Sequence, residues 1–245
     1  FYLYTGLYLK MYVPLFITSF NRPEFVKPSL ESLFNSNLPE WVKLFWTDDG
    51  SDEETTSIIK EYEAREWTCG TEFTLAEHVG MRVCKLGQIR NWFNKQKTCA
   101  EFFLVSDSDM VYAKNWVQAL NHIYYKLPNM GLLSGFNTET NNHATKKEVT
   151  GLRLKLSIGG ANFLMDTKLY LRRPFPIIER ETHEWDYRMC ELAHSEKLLV
   201  CTTNPSIVNH IGRTGVYART DYYDTAKDFI GIEADSLKEL NIGHN

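Results

Sequence analysis

The chain has 245 residues, with 27 Lys plus Arg against 31 Asp plus Glu, a net charge of -4. Hydrophobic residues make up 43% and charged residues 24%, an ordinary globular balance that excludes a disordered, collagen-like or disulfide-scaffold chain. A mildly acidic chain lacks the clustered positive charge of a non-specific duplex binder, and no run of about 18 apolar residues marks a membrane span.

In chain order, Val13 to Phe20 is short, apolar and β-rich and reads as a buried strand. Asn21-Arg22-Pro23 ends it, and Pro23 suits the first turn of a helix running to about Asn35. Trp41 to Trp46 is a second strand and enters the turn cluster Asp48-Asp49-Gly50-Ser51-Asp52. A helix from Glu53 to about Glu66 follows, with acids in its first turn. Phe73-Thr74-Leu75 is a weaker strand, Leu86 to Lys97 a helix, and Glu101 to Ser106 a strand that delivers Asp107-Ser108-Asp109. A helix over roughly Ala113 to Leu127 and a strand over Gly131 to Gly135 complete an alternation of strand and helix. That order predicts an open parallel sheet covered on both faces. Ligands of such sheets sit beyond the carboxyl ends of the strands, where Asn21-Arg22, Asp48-Asp49 and Asp107-Ser108-Asp109 all fall.

The second half changes character. Asn137 to Lys147 is polar and loop-like, and Val149 to Ile158 alternates as one strand. Gly159-Gly160-Ala161-Asn162 is a turn, Phe163-Leu164-Met165 continues after it, and Glu184 to His194 reads as a helix. Leu198 to Cys201 and Ser206 to Val208 read as short strands, and the tail from Gly215 has no clear period. The cysteines are Cys69, Cys84, Cys99, Cys190 and Cys201, an odd number without a C-x-x-C pair, so free buried thiols are expected.

Two carboxylates one residue apart, leaving a sheet edge in extended backbone, face the same side and repel unless a cation sits beside them. A hard divalent ion with open positions there can hold a diphosphate. The competing reading makes Asp109 a cap for the next helix. Asp48-Asp49-Gly50-Ser51 is a turn with a helix cap, and its glycine is misplaced for an EF-hand. A carboxylate at a strand end also accepts hydrogen bonds from a nucleoside.

Thr18-Ser19-Phe20-Asn21-Arg22-Pro23, Asp48-Asp49-Gly50-Ser51 and Asp107-Ser108-Asp109, in this order, resemble a GT-A-fold glycosyltransferase of the family 2 type. The resemblance continues through Gly159-Gly160-Ala161-Asn162, Glu184-Trp185-Asp186 and Asn209-His210-Ile211-Gly212, about residues 12 to 215. It implies an α/β fold, with a Rossmann-like, mostly parallel sheet, helices on both faces and a small antiparallel subsheet in the second half. It implies one domain over 1–245, with a nucleotide-sugar-binding half at 11–136, an acceptor and catalytic half at 137–215, and a tail at 216–245. Phe20, Arg22 and Asp49 would line the nucleotide pocket. Gln88, Arg90 and Asn91 would contact donor sugar and diphosphate, with Ser108 beside them. Asp107 and Asp109 would hold Mn2+ or Mg2+, with His210 as third ligand and Arg213 on the diphosphate.

The family's general base, a carboxylate that takes the acceptor proton, falls on Glu184 or Asp186. On a helix these lie about 200° apart, so one of the two faces the site; His183 is a lesser candidate. The implied reaction moves a sugar from a nucleotide-diphosphate donor, a UDP-sugar or another NDP-sugar, to a hydroxyl acceptor such as a glycan, with inversion. Competing readings are a nucleotidyltransferase that forms sugar nucleotides, which would show a Gly-rich loop after the first strand, and an inactive carbohydrate- or nucleotide-binding module. Asn137 to Lys147 and Tyr217, Tyr222 and Tyr223 are the expected acceptor contacts. Residues 1–10 carry no basic n-region or cleavage signature, which reads as a cytoplasmic enzyme or a catalytic fragment of a longer protein.

Overall fold

A computed structural model of the chain describes residues 12–96, 100–138, 143–174, 185–213 and 224–242. The first half runs β1 (Val13–Ser19), α1 (Pro23–Phe34), β2 (Val42–Asp48), α2 (Glu53–Glu63), β3 (Gly70–Leu75), α3 (Met81–Lys95), β4 (Phe102–Asp107), β5 (Met110–Tyr112), α4 (Trp116–Lys126) and β6 (Met130–Ser134). The second half runs β7 (Thr145–Val149), β8 (Leu152–Lys155), β9 (Asn162–Asp166), α5 (Thr167–Arg172), α6 (Trp185–Ser195), β10 (Leu199–Thr203), β11 (Val208–His210) and α7 (Ser236–Glu239).

Nine strands form one sheet in the order β3-β2-β1-β4-β9-β6-β10-β8-β7. The block β3-β2-β1-β4 is parallel, as is the pair β6 and β10. Strand β9 runs antiparallel between β4 and β6, and the β7–β8 hairpin closes the far edge. A separate antiparallel ribbon joins β5 to β11.

The continuous apolar runs follow from burial on both faces. Leu15 and Ile17 of β1 and Phe102 and Leu104 of β4 enter a core under α1, α2 and α4. Their neighbours Phe16, Phe103 and Val105 enter a second core under α3, α5 and α6. Period-two alternation thus feeds two helical layers from each strand. Register places Ser19 opposite Asp48 and Thr18 opposite Asp107, so the three polar clusters leave the sheet at one edge.

Several boundaries differ from those the sequence predicts. Helix α3 starts at Met81 instead of Leu86, and α4 starts at Trp116 after the unexpected strand β5. The strand expected over 149–158 is a hairpin that turns at Gly151, whose φ of 76° suits a residue without a Cβ. Thr145 to Lys147, expected in a loop, belongs to β7, and β9 runs antiparallel between two strands of the expected parallel sheet, β4 and β6. Helices α5 and α7 were not legible from periodicity because each spans under two turns. Cys69, Cys84, Cys190 and Cys201 are free and buried; Cys99 lies outside the described residues. No helix among the described residues is long and apolar enough to cross a membrane.

Candidate active site

Strand β1 ends at Ser19, and the turn after it contains two residues with left-handed backbone, Asn21 (φ 50°) and Arg22 (φ 63°). Asn21 is locked to the neighbouring loop: its amide donates to Ser51 Oγ at 2.7 Å and its Oδ1 accepts from the Asp52 amide at 2.9 Å. The resulting turn starts α1 at Pro23 and sends Arg22 back across the sheet edge, where Nη2 lies 2.5 Å from Asp109 Oδ2. Backbone of this kind costs on the order of 1–3 kcal/mol per residue and persists where the surroundings fix it.

Strand β4 stops at Asp107, and Ser108 and Asp109 form a turn before β5. The extended backbone expected through the triplet is therefore broken, and its two carboxylates take different partners. Asp107 pairs with Lys85 of α3, and Asp109 with Arg22 and His210. The Asp107 amide donates to the Ala161 carbonyl, which ties the triplet to the Gly159–Asn162 loop. Ser108 is buried. Asp109 does not cap α4, whose N-cap position is Asn115.

His210 arrives on β11, opposite Met110 of β5. Its Nε2 is 3.2 Å from Asp109 Oδ2, and its Nδ1 lies 2.8 Å from the Asp224 carbonyl, an acceptor, so Nδ1 carries a hydrogen. Gly212 packs on the same carboxylate: a Cβ there would stand 2.2 Å from Asp109 Oδ2. Burial pushes the Asp109 carboxyl up, but His210 and Arg22 outweigh it and hold it at about 2. Burial likewise pushes His210 down, and Asp109 raises it above its ordinary value. Asp107 is raised, by burial first and by Asp109, against the pull of Lys85.

These groups bear on a divalent ion in three ways. Asp109 Oδ1 is buried and has no hydrogen-bond partner among the described residues, an acceptor left open. Carboxylate with imidazole is a donor set that suits Mn2+. Among the described residues no three His, Cys, Asp or Glu side chains form a ready cage, because Asp107 is turned to Lys85. The donor chemistry fits; the coordination shell is not assembled.

The nucleotide-side candidates divide. Asp48 is structural: Ser19 Oγ donates to it at 2.9 Å and the Ser51 amide at 2.8 Å. Asp49 is fully buried, and its Oδ1 accepts from the Val79 amide at 2.8 Å. Phe20 stacks on His78, ring centroids 4.2 Å apart. Gln88 and Asn91 are not brought to the carboxylates. They line a cavity of about 630 Å³ between α3 and strands β2 and β3, floored by Phe16, Phe45 and Trp92. Gln88 Nε2 donates to Thr47 Oγ1 at 2.6 Å. Arg90 is exposed. It stands five residues beyond Lys85, about 140° around the helix. The cation that α3 delivers to the Asp107 triplet is therefore Lys85, which sequence reasoning missed. Its signal was a lysine in the run Cys84-Lys85-Leu86, all three buried.

On the acceptor side, Trp185 begins α6 and packs on Phe163, ring centroids 5.7 Å apart, with Lys85 Nζ 6.0 Å from its ring centroid. Asp186 is half-buried in the first turn of α6. Glu184 and His183 lie outside the described residues, as do Tyr217, Tyr222 and Tyr223. Arg213 is exposed, directly after Gly212.

A mostly parallel sheet with helices on both faces and acidic clusters at its carboxyl edge is the GT-A glycosyltransferase architecture, the fold of this chain. Residues 15–128, just under half of the chain, match the model of glycosyl transferase family 2, so over that stretch the chain is family 2-like. Among solved structures, the mannosyltransferase PcManGT of Pyrobaculum calidifontis, in complex with GDP-Man and Mn2+, aligns with a TM-score of 0.56 at 14% identity over 78% of this chain and 56% of that one. Residues 1–349 of S. aureus TarS align at 0.54 and 16% identity, over 79% of this chain and 57% of that one. GalNAc-T7 with UDP, GalNAc and Mn2+ aligns at 0.59 and 11% identity, over 85% of this chain and 45% of that one. The chain thus spans about half the length of the solved structures it matches. No curated protein matches its sequence.

Proposed function

We propose that the chain is a metal-dependent, inverting glycosyltransferase domain that uses a nucleotide-diphosphate sugar. The observation that carries this reading is the meeting of Arg22 and His210 on Asp109 Oδ2 at the sheet edge, beside Asp109 Oδ1, a buried oxygen without a hydrogen-bond partner among the described residues. A diphosphate bound at such an edge meets cationic side chains and a metal-binding carboxylate together. The fold and the family 2 match support sugar transfer in preference to other uses of the sheet.

In this reading Asp109 and His210 would hold Mn2+ or Mg2+, and Asp107, now paired with Lys85, would be a further ligand. The ion would supply positive charge to the leaving diphosphate. Arg22 and Lys85 neutralise the same charge from the protein side, since each already faces this cluster. Arg213 lies close in sequence to His210 and is a further phosphate contact. Asp49 accepts a hydrogen bond from the base or ribose beside Phe20. Asp186 or Glu184 takes the proton of the acceptor hydroxyl as it attacks C1 from the face opposite the diphosphate, which inverts that centre. Trp185 forms a wall next to that base.

The test is sugar-nucleotide turnover, first hydrolysis and then transfer, with UDP- and GDP-linked donors. The wild-type chain is expected to turn over a donor with Mn2+ and to stop with EDTA. Asp109→Ala is expected to lose at least 100-fold in rate. Full activity of Asp109→Ala, or in EDTA, contradicts the metal assignment.

A further inference from the structure

We propose that His78 sets donor affinity by occupying the nucleobase seat itself, so that a donor binds by displacing the histidine ring. The inference rests on the nucleotide-sugar reading above and adds a residue to it.

His78 lies between β3 and α3, on the segment that carries Val79 to the Asp49 carboxylate. Its imidazole stacks on Phe20 with ring centroids 4.2 Å apart and planes 21° from parallel. Its Nδ1 is 3.0 Å from the Asp49 main-chain oxygen and 3.1 Å from Asp49 Oδ2. Both are acceptors, so Nδ1 carries the hydrogen. The histidine therefore presents a flat aromatic face to Phe20 and a ring N–H to the Asp49 main chain, at the edge of the Asp49 carboxylate.

That pair of features also describes a class of ligand. Uracil, thymine and guanine are flat and carry a ring N–H beside a carbonyl; cytosine and adenine carry no ring N–H. Among the described residues Asp49 Oδ2 is buried and has no hydrogen-bond partner: the Nδ1 hydrogen of His78 is directed at the main-chain oxygen, and the other side chain facing the carboxylate is the weakly donating Cys84 thiol. A buried carboxylate oxygen in that condition favours any group that completes its bonding. A base with a ring N–H would do so and would also replace the stack on Phe20. The ring can leave at little cost: the His78 side chain is 53% exposed and belongs to neither core. The result is competition within the chain, in which apparent donor affinity is the intrinsic affinity reduced by the fraction of molecules with the seat open.

The experiment is titration calorimetry of UDP, and of GDP in parallel, with Mn2+, into wild-type, His78→Ala, His78→Gln and Asp49→Asn chains. If the open form is about one-tenth populated, His78→Ala binds about tenfold tighter than wild type. His78→Gln, which keeps a polar group but loses the stack, falls between them, and Asp49→Asn loses affinity. In wild type, the His78 ring protons shift in the NMR spectrum as UDP removes them from the Phe20 ring current. If UDP binds wild type and Asp49→Asn weakens it, while His78→Ala binds equally or more weakly, His78 is no competitor and the inference fails alone. If no chain binds either nucleotide, the nucleotide-sugar reading fails and takes the inference with it.

Discussion

At the scale of single residues, Asp109 and His210 make the fold's stability depend on pH in opposite directions. The folded Asp109 carboxyl sits at about 2, below its ordinary 3.8. It therefore contributes stability above about pH 4, on the order of 2 kcal/mol, that is lost as the pH falls toward 2. His210 is raised above 6.5, so its contribution is complete below that value and is lost as the pH rises through its folded value. Asp107, also raised, works against Asp109 on the acid side. The difference between metal-free wild type and Asp109→Asn isolates the Asp109 part. Urea midpoints should converge for the two chains between pH 4 and 2, values that bracket the ordinary and folded carboxyl. A pH-independent gap would contradict the pairing. Lys85 gives a second prediction. Its side chain is 9% exposed and that of Asp107 28%. Lys85→Ala should destabilise the metal-free chain by on the order of 2 kcal/mol, less than the ~3–5 of a fully buried pair. Added Mn2+ should recover part of the lost melting temperature by supplying Asp107 with another cation. Most of these groups were legible: Arg22, Asp107, Asp109 and His210 each stand in a short motif at a strand end. Lys85 was not, because a lysine on a helix usually reads as solvated, and the sequence places the start of α3 one residue after it.

At the scale of elements, the site depends on two short strands. The β5–β11 ribbon carries His210 to Asp109, and the turn after it lays Gly212 on the carboxylate. A methyl at 212 would stand 2.2 Å from Asp109 Oδ2 and 3.0 Å from His210 Nε2, so one of them must move. Gly212→Ala is expected to weaken Mn2+ binding at least tenfold, read by calorimetry. It should cost about 1–3 kcal/mol of stability, the usual penalty of overpacking. Unchanged Mn2+ affinity would place the ion elsewhere. Strand β5, at three residues, is too short to show a period, which is why the sequence passes from the acidic triplet straight to a helix. The insertion of β9 between β4 and β6 escaped for another reason. Alternating strands and helices imply neighbours in order, and nothing local in Asn162–Asp166 says that the strand runs the other way. Strands β1, β2 and β4 were legible because both-face burial gives apolar runs bounded by turn residues, and helices α1 and α2 from their start signals, Pro23 and the acids of the first turn after Asp52.

At the scale of the whole molecule, sheet register explains why distant motifs form one site. Ser19, Asp48 and Asp107 end three neighbouring parallel strands at one level, and the chain bends there each time. The fold was legible from this order of elements; the assembled site was not, since a sequence gives motifs at an edge but not which carboxylate meets which cation. In the structure the two aspartates face different partners, and in the proposed reading a divalent ion would draw them together. The most direct test is an anomalous difference map from crystals of the chain soaked with Mn2+ and UDP. The account predicts a manganese peak bonded to Asp109 and His210, with Asp107 released from Lys85 and the diphosphate beside Arg22. UDP bound with its diphosphate away from Asp109, or manganese bonded elsewhere, would contradict it.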